Sequence, residues 1–440
     1  MTPGSRLHAA LDLLGEIAAS PRPADAVVQA YLRGRRYMGG GDRRAVTERV
    51  YGVLRRHARL GWWTGEGTPR ERLIADLVLT DGLDAAALKA LFTGKGHDPA
   101  PLTDDERALA RRLFGQPLEP PEMPEAARLE LPEWLAPLLA DSLGEDWRAV
   151  VAALNGEAPL DLRANALKAD RDGARAALAE AGIVAEDGPL AALALRVRGR
   201  VALAATAAFR DGLVEVQDVG SQVAAALVGA APGLAVCDFC AGAGGKTLAL
   251  AGAMGNTGRL LACDVSATRL DRARVRLRRA GVHNAVLRAL DESSRKWLKR
   301  QAGGFDRVLV DAPCTGTGAW RRNPDARWRL VSEDLSRLTG EQDAILARAA
   351  RLVKPGGRLV YVTCSLLRAE NEERVAAFLG GTAGAAFTPV PVTDAWAEAR
   401  QAGTVTGPCP APEGATALRL SPTAHDTDGF FVAVMARAPA

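Results

Sequence analysis

Apolar residues recur at helical spacing through residues 5–115. Leu7, Leu11, Leu14 and Ile17 share one helix face, as do Val46, Val50, Val53 and Leu54 within RRAVTERVYGVLRRHARLGWW. ERLIADLVLT and DAAALKALF follow, parted by the turn signal Asp81-Gly82. The pattern predicts a small all-α domain of four or five helices over residues 1–115. The proline- and acid-rich GQPLEPPEMPEAARLELP reads as a linker over 116–132. Beyond it PEWLAPLLADSLGEDWRAVVAALN is helical in pattern, and LDLRANAL, LALRVRG and LVEVQD read as strands, with the helix RDGARAALAEAG between the first two. Residues 133–217 are therefore expected to form a compact α+β module.

From residue 218 the rhythm becomes strand, glycine turn, helix, repeated to residue 440. GLAVCDFC, GRLLACDV, NAVLRALD, FDRVLVDAP and GGRLVYVTC are five strands, with helices such as SATRLDRARVRLRRAG and SEDLSRLTGEQDAILARAARLV between them. Such alternation predicts an α/β domain with a doubly wound parallel sheet. LRLSP and DGFFVAVMARA are expected as an antiparallel hairpin at the sheet edge.

Composition adds limits. The chain has 440 residues, 48% hydrophobic and 25% charged, which suits a soluble globular protein of two or three domains. No stretch has the apolar length of a membrane span, and Asp12 and Glu16 make the N-terminus an amphipathic helix rather than a secretory signal. A cytoplasmic monomer is the default expectation. Six cysteines do not make a disulfide framework in a chain of this size, and a reducing compartment fits. The net charge of +4 says little, but its distribution says more. Nine arginines between Arg33 and Arg59 face only Asp42 and Glu48, and a second cluster runs through RLDRARVRLRRAGVHNAVLR. Each suits a polyanion, and each equally suits a solvated helix face.

Candidate chemistry gathers at the strand ends. DFCAGAGGKT follows the first strand of the parallel sheet, where doubly wound folds bind ligands. Gly242, Gly244 and Gly245 let backbone approach a ligand, and the next helix offers free N–H groups. The loop has neither G-x-G-x-x-G nor P-loop spacing. Asp264 and Asp291 end the next two strands, suited to ribose hydroxyls and an adenine edge, although either alone could be a helix cap. Together they favour S-adenosylmethionine. Cys237 and Cys240 have no second pair at zinc spacing, so no metal site is expected.

Cys314 and Cys364 follow the fourth and fifth strands, so their loops should overhang one crevice. Methylating cytosine C5 needs such a set: a thiolate to add at C6, an acid at N3 and a second proton-handling group. Arg321, Arg322 or Lys246 would raise the thiolate fraction, and Arg321, Arg322, Arg327 and Arg329 are expected to grip RNA phosphates. Either cysteine alone could instead close a strand end as a small hydrophobe.

DFCAGAGGKT, DAPCTGTGAWRRNPDARWR, VTCSLLRAENE and the terminal DGFF resemble the signature motifs of the Sun-type bacterial ribosomal RNA cytosine-5 methyltransferases. PLDLRANALKADRDGARAALAEAGI and VQDVGSQ resemble the small module that precedes the catalytic domain in that family. RRAVTERVYGVLRRHARL is similar to the antitermination-factor-like RNA-binding domain of the 16S rRNA subfamily. The resemblance implies a Rossmann-like class I methyltransferase domain that uses S-adenosylmethionine on RNA, foremost 16S rRNA. It implies Cys364 as the nucleophile, Cys314 as the thiol that helps release the product, Asp311 as the acid at N3 and Lys246 as the loop lysine. It also implies cofactor contacts from Cys240, Ala241, Gly242, Ala243, Gly244, Gly245, Lys246, Asp264, Arg269, Asp291 and Asp311. The family loop commonly reads Ala-Pro-Gly-Gly-Lys, whereas Gly242-Ala243 stand before Gly244 here. A tRNA cytosine-5 methyltransferase and a non-catalytic RNA-binding assembly factor are the alternatives. A DNA methyltransferase would carry a large target-recognition segment, which is absent.

Overall fold

Four helices of the N-terminal region begin where the side chain of Thr2, Thr68, Asp84 or Thr103 accepts from a first free N–H group. Thr68 and Thr103 each form a reciprocal capping box, with Glu71 and Glu106 respectively. The computed structural model describes residues 1–199 and 201–440. Two compact units emerge. The first comprises Met1–Ala140, Gly144–Gly156 and Trp320–Leu330, and the second Asp141–Leu143, Glu157–Ala319 and Val331–Ala440.

Seven helices cover Pro3–Ala19 to Asp104–Leu113 in the first unit, more than the apolar rhythm predicts. One reason is a break at Arg56 (φ −113°, ψ 25°), which divides the expected long helix into Gly40–Arg55 and His57–Thr64. Leu13, Val46, Val50, Leu60, Leu73 and Leu88 are fully buried between them. The expected linker is instead part of this unit. Met123 and Leu131 are buried, and the Glu130 carboxylate, 1% exposed, accepts from Ala58 N at 2.7 Å and Arg59 Nε at 2.8 Å. A carboxylate buried this deeply needs such partners, and the proline-rich chain cannot swing free once they form. Helix Trp147–Leu154 also belongs here rather than to the α+β module.

Part of each basic cluster resolves into internal pairs. Arg49 and Arg56 hold Asp76, which is fully buried, at 2.8 and 2.7 Å, and Arg59 holds Glu130. The expected phosphate grip fails for Arg327, which is 1% exposed. Its guanidinium donates to Glu130 O at 2.9 Å, to Leu154 O at 3.3 Å and to Asn155, and lies 4.6 Å from the Trp320 ring centroid. Arg321 is buried as well, and Arg329 donates to Asp325 at 2.8 Å and Pro21 O at 2.7 Å. Arg322 is half-buried. Guanidinium groups used to tie chain segments together are not available to a phosphate.

In the second unit, β1 (Leu160–Ala164), β2 (Ala185–Asp187), β3 (Ala194–Val197) and β4 (Val214–Val216) form an antiparallel sheet ordered β2-β3-β1-β4. The larger sheet takes β5 (Ala235–Asp238), β6 (Arg259–Asp264), β7 (Ala285–Ala289), β8 (Phe305–Asp311), β9 (Val353–Thr363), β10 (Phe387–Pro389), β11 (Ala417–Leu420) and β12 (Phe430–Arg437). Its order is β10-β12-β9-β8-β5-β6-β7, with β11 on β12, and β7 through β9 run parallel. This is the doubly wound Rossmann-like sheet, with its switch point between β5 and β8. The terminal hairpin is not confined to the edge, because β12 pairs with β9 from Phe431↔Thr363 to Ala436↔Arg358 while β10 covers its other side. Arg276 and Arg279, from the second basic cluster, converge on the buried Glu215 of β4. Among the described residues, no helix is long and apolar enough to cross a membrane.

Arg327→Ala should lower the stability of the helical unit by about 3 kcal/mol, because it strands buried acceptors that have no water to turn to. Urea unfolding followed by tryptophan fluorescence would measure this, and a midpoint within error of the wild type would contradict it.

Candidate active site

The parallel register of β8 and β9 sets Asp311 opposite Val362, so the two strands release their loops side by side. Ala312 N donates to Val362 O and Gly318 N to Cys364 O, each at 2.9 Å. Cys314 Sγ and Cys364 Sγ therefore stand 3.5 Å apart, both partly buried.

Glu370 holds the arrangement and was not singled out from the sequence. Its fully buried carboxylate accepts from Thr315 N at 2.8 Å and Thr315 Oγ1 at 2.5 Å on one loop, and from Ser365 Oγ on the other. Gln342 Nε2 adds a contact at 3.0 Å. The Cys314 thiol is pushed well above its ordinary pKa, first by its hydrogen bond with Cys364, then by burial and the Cys364 and Glu370 charges. The proton is thus held on Cys314.

Lys246, in the first turn of the helix Gly245–Ala253, meets Asp311 of β8, Nζ to Oδ2, at 2.7 Å. Burial alone would lower its ammonium, but Asp311, Cys364 and Asp238 together raise it. Phe430, from DGFF, lies 5.3 Å beneath the ammonium.

The glycine loop is shaped by neighbours on β6 and the helix Ala267–Ala280. Gly242 (φ +54°) and Gly244 (φ +81°) adopt left-handed backbone, and a Cβ would come within 2.6 Å of the Arg269 guanidinium and 2.9 Å of Ala273 respectively. Ala241 N donates to Cys263 O at 2.8 Å, Ala243 O accepts from Arg276 at 2.9 Å, and Gly245 O accepts from Arg163 at 3.1 Å. Asp264 accepts from Gly242 N and Ser266 N, both at 2.8 Å, with Arg269 at 3.7 Å. It fastens the loop from below. Asp291 is exposed and accepts from Ser293 Oγ at 2.6 Å and Ser294 Oγ at 2.8 Å, so in this state it acts as a cap. Burial drives the Cys240 thiol well above its ordinary pKa, with the charges of Asp238, Asp311 and Asp264 adding to the shift.

Asp238, the first residue of the loop motif, was also missed. It is fully buried; Thr247 Oγ1 donates to its Oδ2 at 2.7 Å, while Oδ1 has no protein partner. Burial, opposed by Thr247 and reinforced by Asp311, raises its pKa to about 7. An unpartnered acceptor at a strand end beneath a glycine loop fits a ligand that carries a cationic or N–H group.

Residues 227–436 match the family model described as 16S rRNA methyltransferase RsmB/F, and residues 131–204 match a ferredoxin-like domain of RsmF/B-like methyltransferases. The ribosomal RNA small subunit methyltransferase B of Vibrio cholerae is 34% identical over 313 residues, 71% of this chain and 67% of that protein. The chain belongs to the RsmB/F family. The Pasteurella multocida protein of the same name is 36% identical over 307 residues, 69% of this chain and 64% of its own length. The chain thus spans less than two thirds of that relative. The crystal structure of PH0851 superposes on this family member with a TM-score of 0.80 at 25% identity, covering 99% of both chains.

Glu370→Gln should speed alkylation of Cys314 by iodoacetamide at neutral pH, because it removes a charge that holds the thiol proton. Peptide mass spectrometry would follow the rate, and no acceleration would deny Glu370 that influence. Asp238 gives a pH test. Its folded pKa of about 7 lies above the unfolded value of about 3.9, so the folded chain binds the extra proton between them. Stability should then fall as pH rises from about 4 to about 7, by an amount on the order of a few kcal/mol, and Asp238→Asn should flatten that component. Parallel pH profiles for the two proteins in urea unfolding would contradict it.

Proposed function

We propose that this protein transfers a methyl group from S-adenosylmethionine to C5 of a cytosine in RNA, most directly 16S rRNA. The observation that carries the reading is the pair of thiols 3.5 Å apart beside the Lys246–Asp311 pair. The relatives named for small-subunit rRNA methylation support the choice of RNA.

The residues present fit the cofactor. Gly242 and Gly244 give the loop a left-handed backbone that no side chain would allow against Arg269 and Ala273, Asp238 Oδ1 is an unused acceptor, and Asp264 and Asp291 stand at successive strand ends. Asp238, Gly242 to Gly245, Asp264 and Asp291 would hold it, with Arg269 over the loop. When bound, S-adenosylmethionine supplies a sulfonium methyl, electrophilic enough for an activated ring carbon.

The chain's task is to make cytosine C5 a nucleophile. Cys364 is the nucleophile in this reading: Cys314 is held protonated, Lys246 carries its positive charge beside Cys364, and the proton Cys364 gives up is the one the reaction releases to water. Its sulfur adds to C6, and the electron pair displaced from the C5–C6 bond becomes available at C5. The proton shared by Lys246 and Asp311 passes through Asp311 to N3 as the adduct forms, and returns to the pair when the C6–S bond opens. After the methyl is transferred, the C5–H bond must break, the C5–C6 double bond reform and the C6–S bond open. Cys314 gives its proton to the departing Cys364 sulfur and takes the proton from C5. It ends as it began.

The two cysteines therefore have separable roles. Cys314→Ala should accumulate a covalent protein–RNA adduct in the presence of S-adenosylmethionine, visible as a retarded band in a denaturing gel, and Cys364→Ala should form none. The reverse outcome would overturn the assignment. Bisulfite sequencing of rRNA and tRNA from cells with and without the gene would decide between those two substrates.

A further inference from the structure

Helix Arg295–Arg300, with the sequence RKWLKR, connects β7 to β8 in the second unit. Together with the end of helix Ser332–Ala350 and the last strand it borders a groove of about 1300 Å³. Five cations line it from three separate chain segments: Arg295 and Lys299, Arg348 and Arg351, and Arg437. Among the described residues, Arg295, Lys299, Arg348 and Arg351 form no ion pair, unlike the arginines of the basic clusters tied up elsewhere. Arg437 donates to Val353 O at 2.5 Å and Arg348 lies 5.7 Å from the Phe239 ring centroid, so two of the five are fixed in position. Asp291, at the cofactor end, is the one acid in the lining among the described residues, and its carboxylate is taken by Ser293 and Ser294.

Cations gathered in one groove repel one another, and a cleft lined by one sign concentrates the field of that sign. Such a groove is at its most stable with a polyanion in it. Cations drawn from three chain segments suit the repeated charge of a polymer better than the single phosphate cluster of a mononucleotide. One end reaches Val265 and Asp291, at the tips of β6 and β7. We infer that this groove, and not the arginines after Cys314, carries the sugar-phosphate backbone of the RNA strand flanking the target cytosine. The inference rests on the RNA reading above and deepens it by naming where the strand runs.

The test compares the salt dependence of binding to a single-stranded RNA oligonucleotide with a central cytosine, from about 50 to about 200 mM salt. Each phosphate contact on a single strand contributes about 0.7 to the slope of log affinity against log salt. The triple variant Arg295→Gln, Lys299→Gln, Arg351→Gln should therefore flatten the slope by about 2, with S-adenosylmethionine affinity at the wild-type value to show that the fold is intact. The double variant Lys296→Gln, Arg300→Gln changes the same helix at residues that do not line the groove, and should flatten it by less than half as much. Equal slopes for wild type and triple variant, with wild-type RNA binding intact, overturn the groove and leave RNA methylation standing. An equal effect from the double variant also overturns it, by showing a diffuse field. No salt-dependent RNA binding by the wild type would remove the RNA reading itself.

Discussion

Everything at the candidate active site depends on two neighbouring parallel strands releasing their loops at the same height. The register of β8 with β9 puts Asp311 opposite Val362. Three residues on from Asp311 and two on from Val362, the chain presents a thiol. Strand pairing alone brings the loops near each other, and the buried Glu370 carboxylate fixes them by accepting from both. A buried carboxylate is costly unless its lone pairs are filled, so the pocket is stable only with both loops in place. Positioning two nucleophiles and neutralising one charge are here the same event.

The charge distribution has an internal use that its linear pattern conceals. Asp76, Glu130 and Glu215 are nearly or wholly buried, and each is met by arginines from segments distant in sequence. Guanidinium groups suit this role because they bond to several acceptors in fixed directions and remain charged when half desolvated. Arg327 carries the principle furthest, joining the carbonyls of Glu130 and Leu154 with the side chain of Asn155.

Much of this was legible in the sequence, for identifiable reasons. The alternation of strand and helix after residue 218 determines the parallel sheet, and sheet adjacency brings Cys314 to Cys364. Strand and loop rules are local and act on short windows. What escaped was set by partners far away in the chain. The proline-rich stretch reads as a linker until Met123 and Leu131 find a core and Glu130 finds Arg59. Glu370 sits among charged residues in RAENEE and reads as solvated, and only tertiary packing buries it. The position of β12 between β9 and β10 is likewise a long-range pairing that hairpin signals do not encode. Asp238 is hidden for a simpler reason: an aspartate at a strand end reads as a turn or cap residue until packing buries it and leaves one oxygen unpaired.

The segment Trp320–Leu330 belongs to the compact unit otherwise built from the first 156 residues. Trp320 and Arg327 are among the largest fully buried side chains of the whole protein. On the ribosome, the helical unit therefore emerges with a vacant place in its core and waits for more than a third of the chain to be made. At typical synthesis rates that delay is roughly ten to thirty seconds, long compared with helix formation. During it the Glu130 and Leu154 carbonyls have no guanidinium partner. The birth of this protein is thus sequential in translation but not in folding, since its first unit is completed only after the strands bearing most of the cofactor loop have appeared.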